Sequence, residues 1–261
     1  DLLKGLIMAA MALDHASYFV GKIHVFEFWA LALPSYDSVP AFLTRFVTHF
    51  CAPGFFFLMG AGMALLSHSR RTMGWTVERI FIFFLSRGVI LIGLQFFFEN
   101  TAWLLGGISD KSQALGAIPV QGGGGQVWIH LGVLFGLGGL PTLLGMIMRA
   151  NTTIVVLISG VSLALSQWLL PSAEHGQTLF HPLLRILLIP GRTGMMQVFY
   201  PLLPWLGVAG IGLVFGRMLN KDGDRTHRFA AAAGGVFLIF FFVLRLLGSW
   251  GISPRSSAVM R

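Results

Sequence analysis

The stretch FLTRFVTHFCAPGFFFLMGAGMALLS, residues 42–67, decides the fold class. It carries one residue charged at neutral pH, Arg45, and is longer than the roughly 20 apolar residues a helix needs to cross the hydrocarbon of a bilayer. Working outward from it, six more segments approach the same length and apolarity: 2–20, 76–98, 126–148, 152–170, 196–219 and 229–250. They predict an all-α fold, a polytopic integral membrane helix bundle of about seven transmembrane helices forming a single domain.

Composition agrees. Of 261 residues, 55% are hydrophobic and 11% charged, against about 25% charged in an ordinary soluble domain. This excludes a soluble globular enzyme, and a mean hydropathy of +0.78 excludes a disordered chain. The net charge of +8 raises the question of nucleic acid, but the cations fall in short clusters between apolar runs rather than on one solvated face. Nucleic acid is therefore not expected as a partner, and the lipid bilayer is. Arg70, Arg71 and Arg79 lie between the second and third segments, Arg149 between the fourth and fifth, and Arg217, Lys221, Arg225 and Arg228 around the sixth-to-seventh connection. By the positive-inside rule these loops and the N-terminus with Lys4 are cytoplasmic. A single cysteine, Cys51, permits no internal disulfide. No cleavable signal pattern is evident, and without an initiator Met the chain is expected to begin inside a longer protein.

Ionisable groups inside hydrocarbon are costly and mark function by default. Asp14 and His15 fall about 18 Å along the first segment, and His49 about 10 Å from the outer end of the second. The depths agree, so the three are expected to meet at one level, with Asp14 orienting an imidazole that acts as general base. Arg45 shares a helix face with His49, four residues on, and either supplies a countercharge or snorkels outward. Arg87 is near the middle of the third segment, Gln95 and Glu99 lie further out on it, His130 stands near the outer end of the fourth, and Arg245 lies in the seventh. A metal site from Asp14, His15 and His49 is chemically permissible, but no HExxH or CxxC spacing supports it and no metal is expected. P-loop, GxSxG and GxGxxG fingerprints are absent. Gly132 with Gly136, Gly212 with Gly216, and the Gly60-Ala61-Gly62 run read as close helix contacts. Residues 100–125, with four consecutive glycines, read as an outer linker, and His175 and His181 as solvated loop residues.

Four motifs carry a family resemblance. DLLKGLIMAAMALDH, ending in Asp14-His15, resembles the first-helix signature of the heparan-alpha-glucosaminide N-acetyltransferase family, in its bacterial branch. TRFVTHFCAP from Thr44, followed by GFFFLMG ending at Gly60, is similar to the second-span motif, and Leu85-Ser86-Arg87-Gly88 to the third. YPLLPWLG from Tyr200 to Gly207 is similar to a later element. The resemblance implies a transmembrane acyltransferase moving an acetyl group from cytoplasmic acetyl-CoA to a sugar-type amine or hydroxyl outside, in a bacterial inner membrane. It is similar, more remotely, to the acyltransferase-3 group, whose essential His near the outer end of the first helix is matched by His15. This chain has no His near Val39, where the catalytic His of the lysosomal family member would fall, so the resemblance leaves the role to His15 or His49. Family members continue beyond a seventh span, so the chain reads as truncated relative to them.

On this reading His15, Asp14 and His49 are catalytic: His15 as general base or transient acyl carrier, Asp14 orienting it, and His49 as second base or oxyanion donor. Lys4, Arg70, Arg71 and Arg87 meet the donor's phosphates, although the basic loop also serves topology alone. Arg45, Glu99 and His130 meet the acceptor. Two rivals stand beside it. One is a non-catalytic subunit of a larger membrane complex or homo-oligomer, motivated by aromatic runs at 81–84 and 237–242; the other is a small-solute transporter, motivated by Asp14, Arg87 and Arg245.

Overall fold

A computed structural model describes residues 2–17, 38–109, 128–171 and 180–247. The chain divides into two compact units, Asp1–Glu27 with Ala32–Cys51 and Met218–Arg261, and Phe28–Leu31 with Ala52–Arg217.

The first unit contains α1 (Leu2–His15), α2 (Val39–Thr48) and α10 (Gly223–Leu246). Helix α2 starts where Ser38, in extended conformation, accepts a hydrogen bond from Ala41 N through its side chain, satisfying one of the donors a helix start leaves open. Pro40 sits in the first turn, where its missing N–H costs nothing. Phe46 of α2 packs on Phe241 of α10, ring centroids 5.5 Å apart. Elsewhere α10 presents Phe237, Ile239 and Phe240 outward, a surface suited to lipid rather than water.

The second unit contains α3 (Cys51–Thr72), α4 (Val77–Leu94), a π-helical turn Gln95–Glu99, α5 (Asn100–Ser109), β1 (Ile129–Leu131), α6 (Val133–Ile147), α7 (Thr152–Trp168), α8 (Pro182–Leu187), β2 (Gly191–Thr193), β3 (Met196–Val198) and the body of α9 (Leu202–Lys221). Its core is built on Phe56, Leu140, Leu144, Val155, Ala209 and Leu213. Phe56 stacks on Trp205 at 4.5 Å, with Tyr200 closing the cluster, so two aromatics of the YPLLPWLG motif clamp α9 to α3.

Helices approach through glycine because lipid supplies little drive to associate and close van der Waals contact must replace it. Along the α3–α9 seam a Cβ on Gly60 would overlap Ala209 O, one on Gly212 would overlap Phe57 O, and one on Gly216 would lie 2.5 Å from Ala61 O. Gly88 and Gly138 meet in the same way between α4 and α6. The expected small-residue contacts at Gly60, Gly212, Gly216 and Gly136 are thus present, Gly136 lying against the Phe56 ring. Gly132 differs: it precedes α6 in extended conformation, and the space left by its missing side chain faces the Glu99 carboxylate.

Helix dominates, and four described helices are long and apolar enough to cross a membrane: Val39–Thr72, Val77–Ala102, Leu202–Lys221 and Gly223–Leu244. Val133–Ile147 and Thr152–Trp168 are shorter. Two expected spans lose their N-terminal ends to strands, as residues 129–131 form β1 and 196–198 form β3. The strands form one sheet in the order β1-β3-β2, with β1 parallel and β2 antiparallel to β3. Gly194, at φ +53°, turns the β2–β3 hairpin, a position that favours glycine. The expected linker from residue 100 begins as helix, continuing to Ser109; its Gly122–Gly125 portion lies outside the described residues. So do Arg245's side chain and His175.

The basic connections converge within this unit. Arg149, after α6, pairs with Glu78 of α4, while Arg217 of α9 donates to Ala150 O at 3.0 Å and Met148 O at 2.9 Å. The α3–α4 turn, the α6–α7 turn and the C-terminal part of α9 share one end. Gln95 lies about 25 Å along α4 from Glu78 at 1.5 Å per residue, so the sheet joined to it occupies the other end.

Packing makes a direct prediction. Gly60→Ala places a methyl against the α9 backbone and lowers the unfolding temperature in detergent, by a destabilisation of about 1–3 kcal/mol, whereas Gly62→Ala, with nothing within 4 Å of its Cβ, is tolerated. Equal unfolding temperatures for the two variants would contradict the seam.

Candidate functional site

Charged and polar side chains collect in three places. In the first unit, Arg45 Nη1 donates to Asp14 Oδ1 at 2.6 Å, both side chains mostly shielded. The outcome for Arg45 is therefore countercharge rather than snorkelling. His15 is next to Asp14 in sequence, but its Nδ1 is 4.0 Å from the nearer carboxylate oxygen and 2.9 Å from Met11 O. A carbonyl only accepts, so this contact puts the proton on Nδ1 and the lone pair on Nε2. His49 closes α2 and turns Nδ1 onto Arg45 O at 2.7 Å, with the same tautomeric consequence. Both rings are exposed from the protein. The sequence expectation had Asp14 orienting His15; here Arg45 takes the carboxylate and a helix carbonyl orients the ring.

At the basic end of the second unit, the guanidinium groups of Arg70 and Arg79 lie over the Trp75 ring, 4.7 and 4.1 Å from its centroid. Arg71, next in sequence to Arg70, is exposed; in the first unit, Lys4 on α1 is exposed too. Arg87, two turns along α4 from Arg79, is exposed over the Phe83 ring at 4.6 Å. Arg70, Arg79 and Arg87 are thus cations held against aromatic faces.

The third cluster stands at the opposite end of that unit and is the most thoroughly built. Gln95, fully buried at the π-turn, donates to His130 O at 3.0 Å and accepts from Gly132 N and Phe135 N, each at 3.1 Å. One amide thus satisfies the chain's passage from β1 into α6. Asn100 Oδ1 accepts from His130 N at 2.8 Å and from His130 Nδ1 at 3.4 Å, fixing the ring with its lone pair on Nε2. Phe199 lies nearly parallel to that ring, 6.4 Å away.

Strand pairing then sets three side chains in one row. His130 is opposite Gln197 and Gln197 opposite Arg192, and cross-strand partners project from the same face of a sheet. All three are at least 95% buried. Arg192 Nε donates to Gly194 O at 3.0 Å. Arg185, also fully buried, donates to Pro190 O at 2.6 Å and covers the Phe180 ring. Neither amide atom of Gln197 has a partner, although leaving a buried polar group unpaired typically costs ~1–3 kcal/mol. Burial, and then the Arg192 charge, pull the His130 pKa from its usual 6.5 to about 4, and burial lowers Arg185 to about 10. At neutral pH the row presents a neutral imidazole, a neutral amide and a cation.

Of the residues expected to form the site, Asp14, His15 and Arg45 come together; Glu99 lies against Gly132, two residues beyond His130 at the sheet end. Sequence reasoning missed Gln197, Asn100 and the buried character of Arg185 and Arg192. The available signal was Pro190-Gly191 and Gly194, which interrupt helical periodicity and mark a hairpin.

The depressed His130 pKa has a sign. The unfolded chain protonates this ring below about pH 6.5 and the folded chain only near 4, so falling pH favours unfolding across that window. The difference in unfolding temperature between the wild type and His130→Gln should shift against the wild type from pH 7 to 4.5. A difference independent of pH would contradict this.

The comparisons with known proteins agree with the four motifs. A family model described as heparan-alpha-glucosaminide N-acetyltransferase, catalytic, matches residues 1–250. No curated protein and no solved structure matches the chain. The matched region takes in every described helix and strand, including the Asp14–Arg45 pair, the cations around Trp75 and the buried row on the sheet. The chain belongs to the heparan-alpha-glucosaminide N-acetyltransferase catalytic-domain family.

Proposed function

We propose that this protein transfers an acetyl group from acetyl-CoA, taken from the cytoplasmic side, to a sugar-type amine or hydroxyl on the outer side of a bacterial inner membrane. The N-terminus is cytoplasmic in this reading, and seven helices cross the bilayer. The observation that carries it is the polarity of the second unit: aromatic-held cations, Arg70 half-buried and Arg79 exposed, at one end of α4 and a buried hydrogen-bonding cluster at the other. Phosphates of a soluble donor suit the first, and an acceptor suits the second.

Arg70 and Arg71 meet the CoA phosphates first, with Lys4 and Arg87 further contacts; guanidinium groups suit phosphate because they offer several donors in a fixed plane. His15 is the base. Its Nδ1 proton is committed to Met11 O, so Nε2 takes the proton from the acceptor as the new bond to the acetyl carbon forms and the carbon–sulfur bond breaks. That proton then passes to the departing CoA thiolate. Asp14 balances Arg45 within the low-dielectric interior rather than steering the imidazole, and His49 is the second imidazole of the site. Arg45, Glu99 and His130 serve the acceptor. No residue assigned here calls for a metal.

The test is acetyl transfer in proteoliposomes. His15→Ala should reduce kcat by at least a hundredfold, in line with general-base contributions of about 10²–10⁴, while the unfolding temperature stays within a few degrees of the wild type. Undiminished turnover removes His15 from the mechanism.

A further inference from the structure

Helix α4 buries Ile80, Phe84 and Gly88, and one residue ahead of each runs a second stripe, Arg79, Phe83 and Arg87, at the four-residue spacing that shares a helix face. Both arginines are exposed, and so are Ile82 and Ile90 beside them. At 1.5 Å per residue Arg87 stands about 15 Å along the helix from Val77, about half the thickness of a bilayer's hydrocarbon. A guanidinium facing lipid at that depth is unfavourable, and the side chain moves away from it. Helical side chains lean toward the N-terminus, and the Arg87 guanidinium lies 4.6 Å from the centre of the Phe83 ring, one turn nearer the α3–α4 turn. Arg79 repeats the arrangement over Trp75 at 4.1 Å, a ring it shares with Arg70. The two rings meet edge to face at 6.1 Å, so one aromatic pair carries a cation over each member. Among the described residues neither Arg79 nor Arg87 has an ion-pair partner, and the neighbouring carboxylate of Glu78 is held by Arg149.

Charge and apolar surface together define what fits. A soluble anion would meet the two guanidinium groups and leave Ile82 and Ile90 uncovered. An uncharged lipid would cover the isoleucines and leave the cations without a counter-ion. A lipid with an anionic head and acyl chains satisfies both, because phosphate oxygens accept several N–H groups from a planar guanidinium and cations at the membrane surface attract anionic headgroups. We propose that the Arg79–Phe83–Arg87 strip binds an anionic glycerophospholipid of the leaflet at the α3–α4 turn, its phosphodiester drawn to the two guanidinium groups and its acyl chains lying along Ile82 and Ile90. This goes beyond the acetyl-transfer reading and narrows it in one respect: Arg87 turns to lipid, and the donor keeps Arg70, Arg71 and Lys4.

The full chain in nanodiscs of phosphatidylglycerol and phosphatidylcholine in equal amounts provides the test, with the lipids retained after transfer to detergent counted by native mass spectrometry. The wild type should keep phosphatidylglycerol in preference to phosphatidylcholine. Arg79→Gln and Arg87→Gln should each cut that preference about fivefold, the effect of one cation near a charged lipid surface, and the double variant should cut it further. Both side chains are exposed, so unfolding temperatures in phosphatidylcholine alone should stay within a few degrees of the wild type. Arg225→Gln, which removes an exposed cation from α10, should leave the preference as it is, and CoA should not displace the retained phosphatidylglycerol. A preference unchanged in the double variant would overturn the lipid site. So would an equal loss in Arg225→Gln, which would assign the effect to overall charge, or displacement by CoA, which would give the strip to the soluble donor. Lipid retention that depends on Arg79 and Arg87 in a protein that transfers no acetyl group would defeat the acetyl-transfer reading and keep the lipid site.

Discussion

The side-chain amide of Gln95 is the contact on which the sheet end of the protein depends. A chain that leaves helical geometry near hydrocarbon must satisfy its backbone groups internally, because lipid offers no hydrogen bonds. Here one buried glutamine serves a carbonyl and two N–H groups across the β1–α6 junction. Its place on a π-helical turn is itself a departure of the kind often found at functional sites. With that junction satisfied, β1 can pair with β3, and the buried row of His130, Gln197 and Arg192 follows from the register.

The helices beneath this end are held by a different economy of contact. Between α3 and α9, glycines at positions 60, 212 and 216 bring backbones together, and Phe56, Tyr200 and Trp205 fill the space above them. The outward faces carry large apolar residues that only a bilayer would accommodate. Polar groups accordingly gather at helix ends and at the Asp14–Arg45 pair, as where Arg149 meets Glu78 and Arg217 meets two backbone carbonyls.

Much of this was legible from residue order. The apolar runs around residues 42–67, 76–98 and 229–250 became helices because hydrophobic length is a strong signal, and Gly212 with Gly216 met α3 because their spacing puts both on one face. The depth argument set Asp14, His15 and His49 at one level, with Arg45 on the His49 face as either countercharge or snorkelling group; Arg45 does pair with Asp14, while the His15 and His49 rings each bond a carbonyl of their own helix. Beyond the hairpin signal of Pro190-Gly191 and Gly194, the three strands were illegible for a physical reason. Each is only three residues long, too short for a two-residue period to be told from the flank of a helix. Gln197 was missed for the same reason, since its importance comes from cross-strand register with His130 and Arg192, which no local pattern encodes.

Function, on the proposed reading, is a matter of sidedness: exposed cations at one end of the helices, a buried hydrogen-bonding row at the other, and a membrane between. The most direct measurement uses sealed proteoliposomes of uniform orientation, with acetyl-CoA labelled in the acetyl group supplied only to the face bearing the Arg70–Arg79 turn and glucosamine enclosed on the other. The account predicts labelled N-acetylglucosamine in the compartment that never contained acetyl-CoA. Label transferred only when donor and acceptor share a compartment would contradict it.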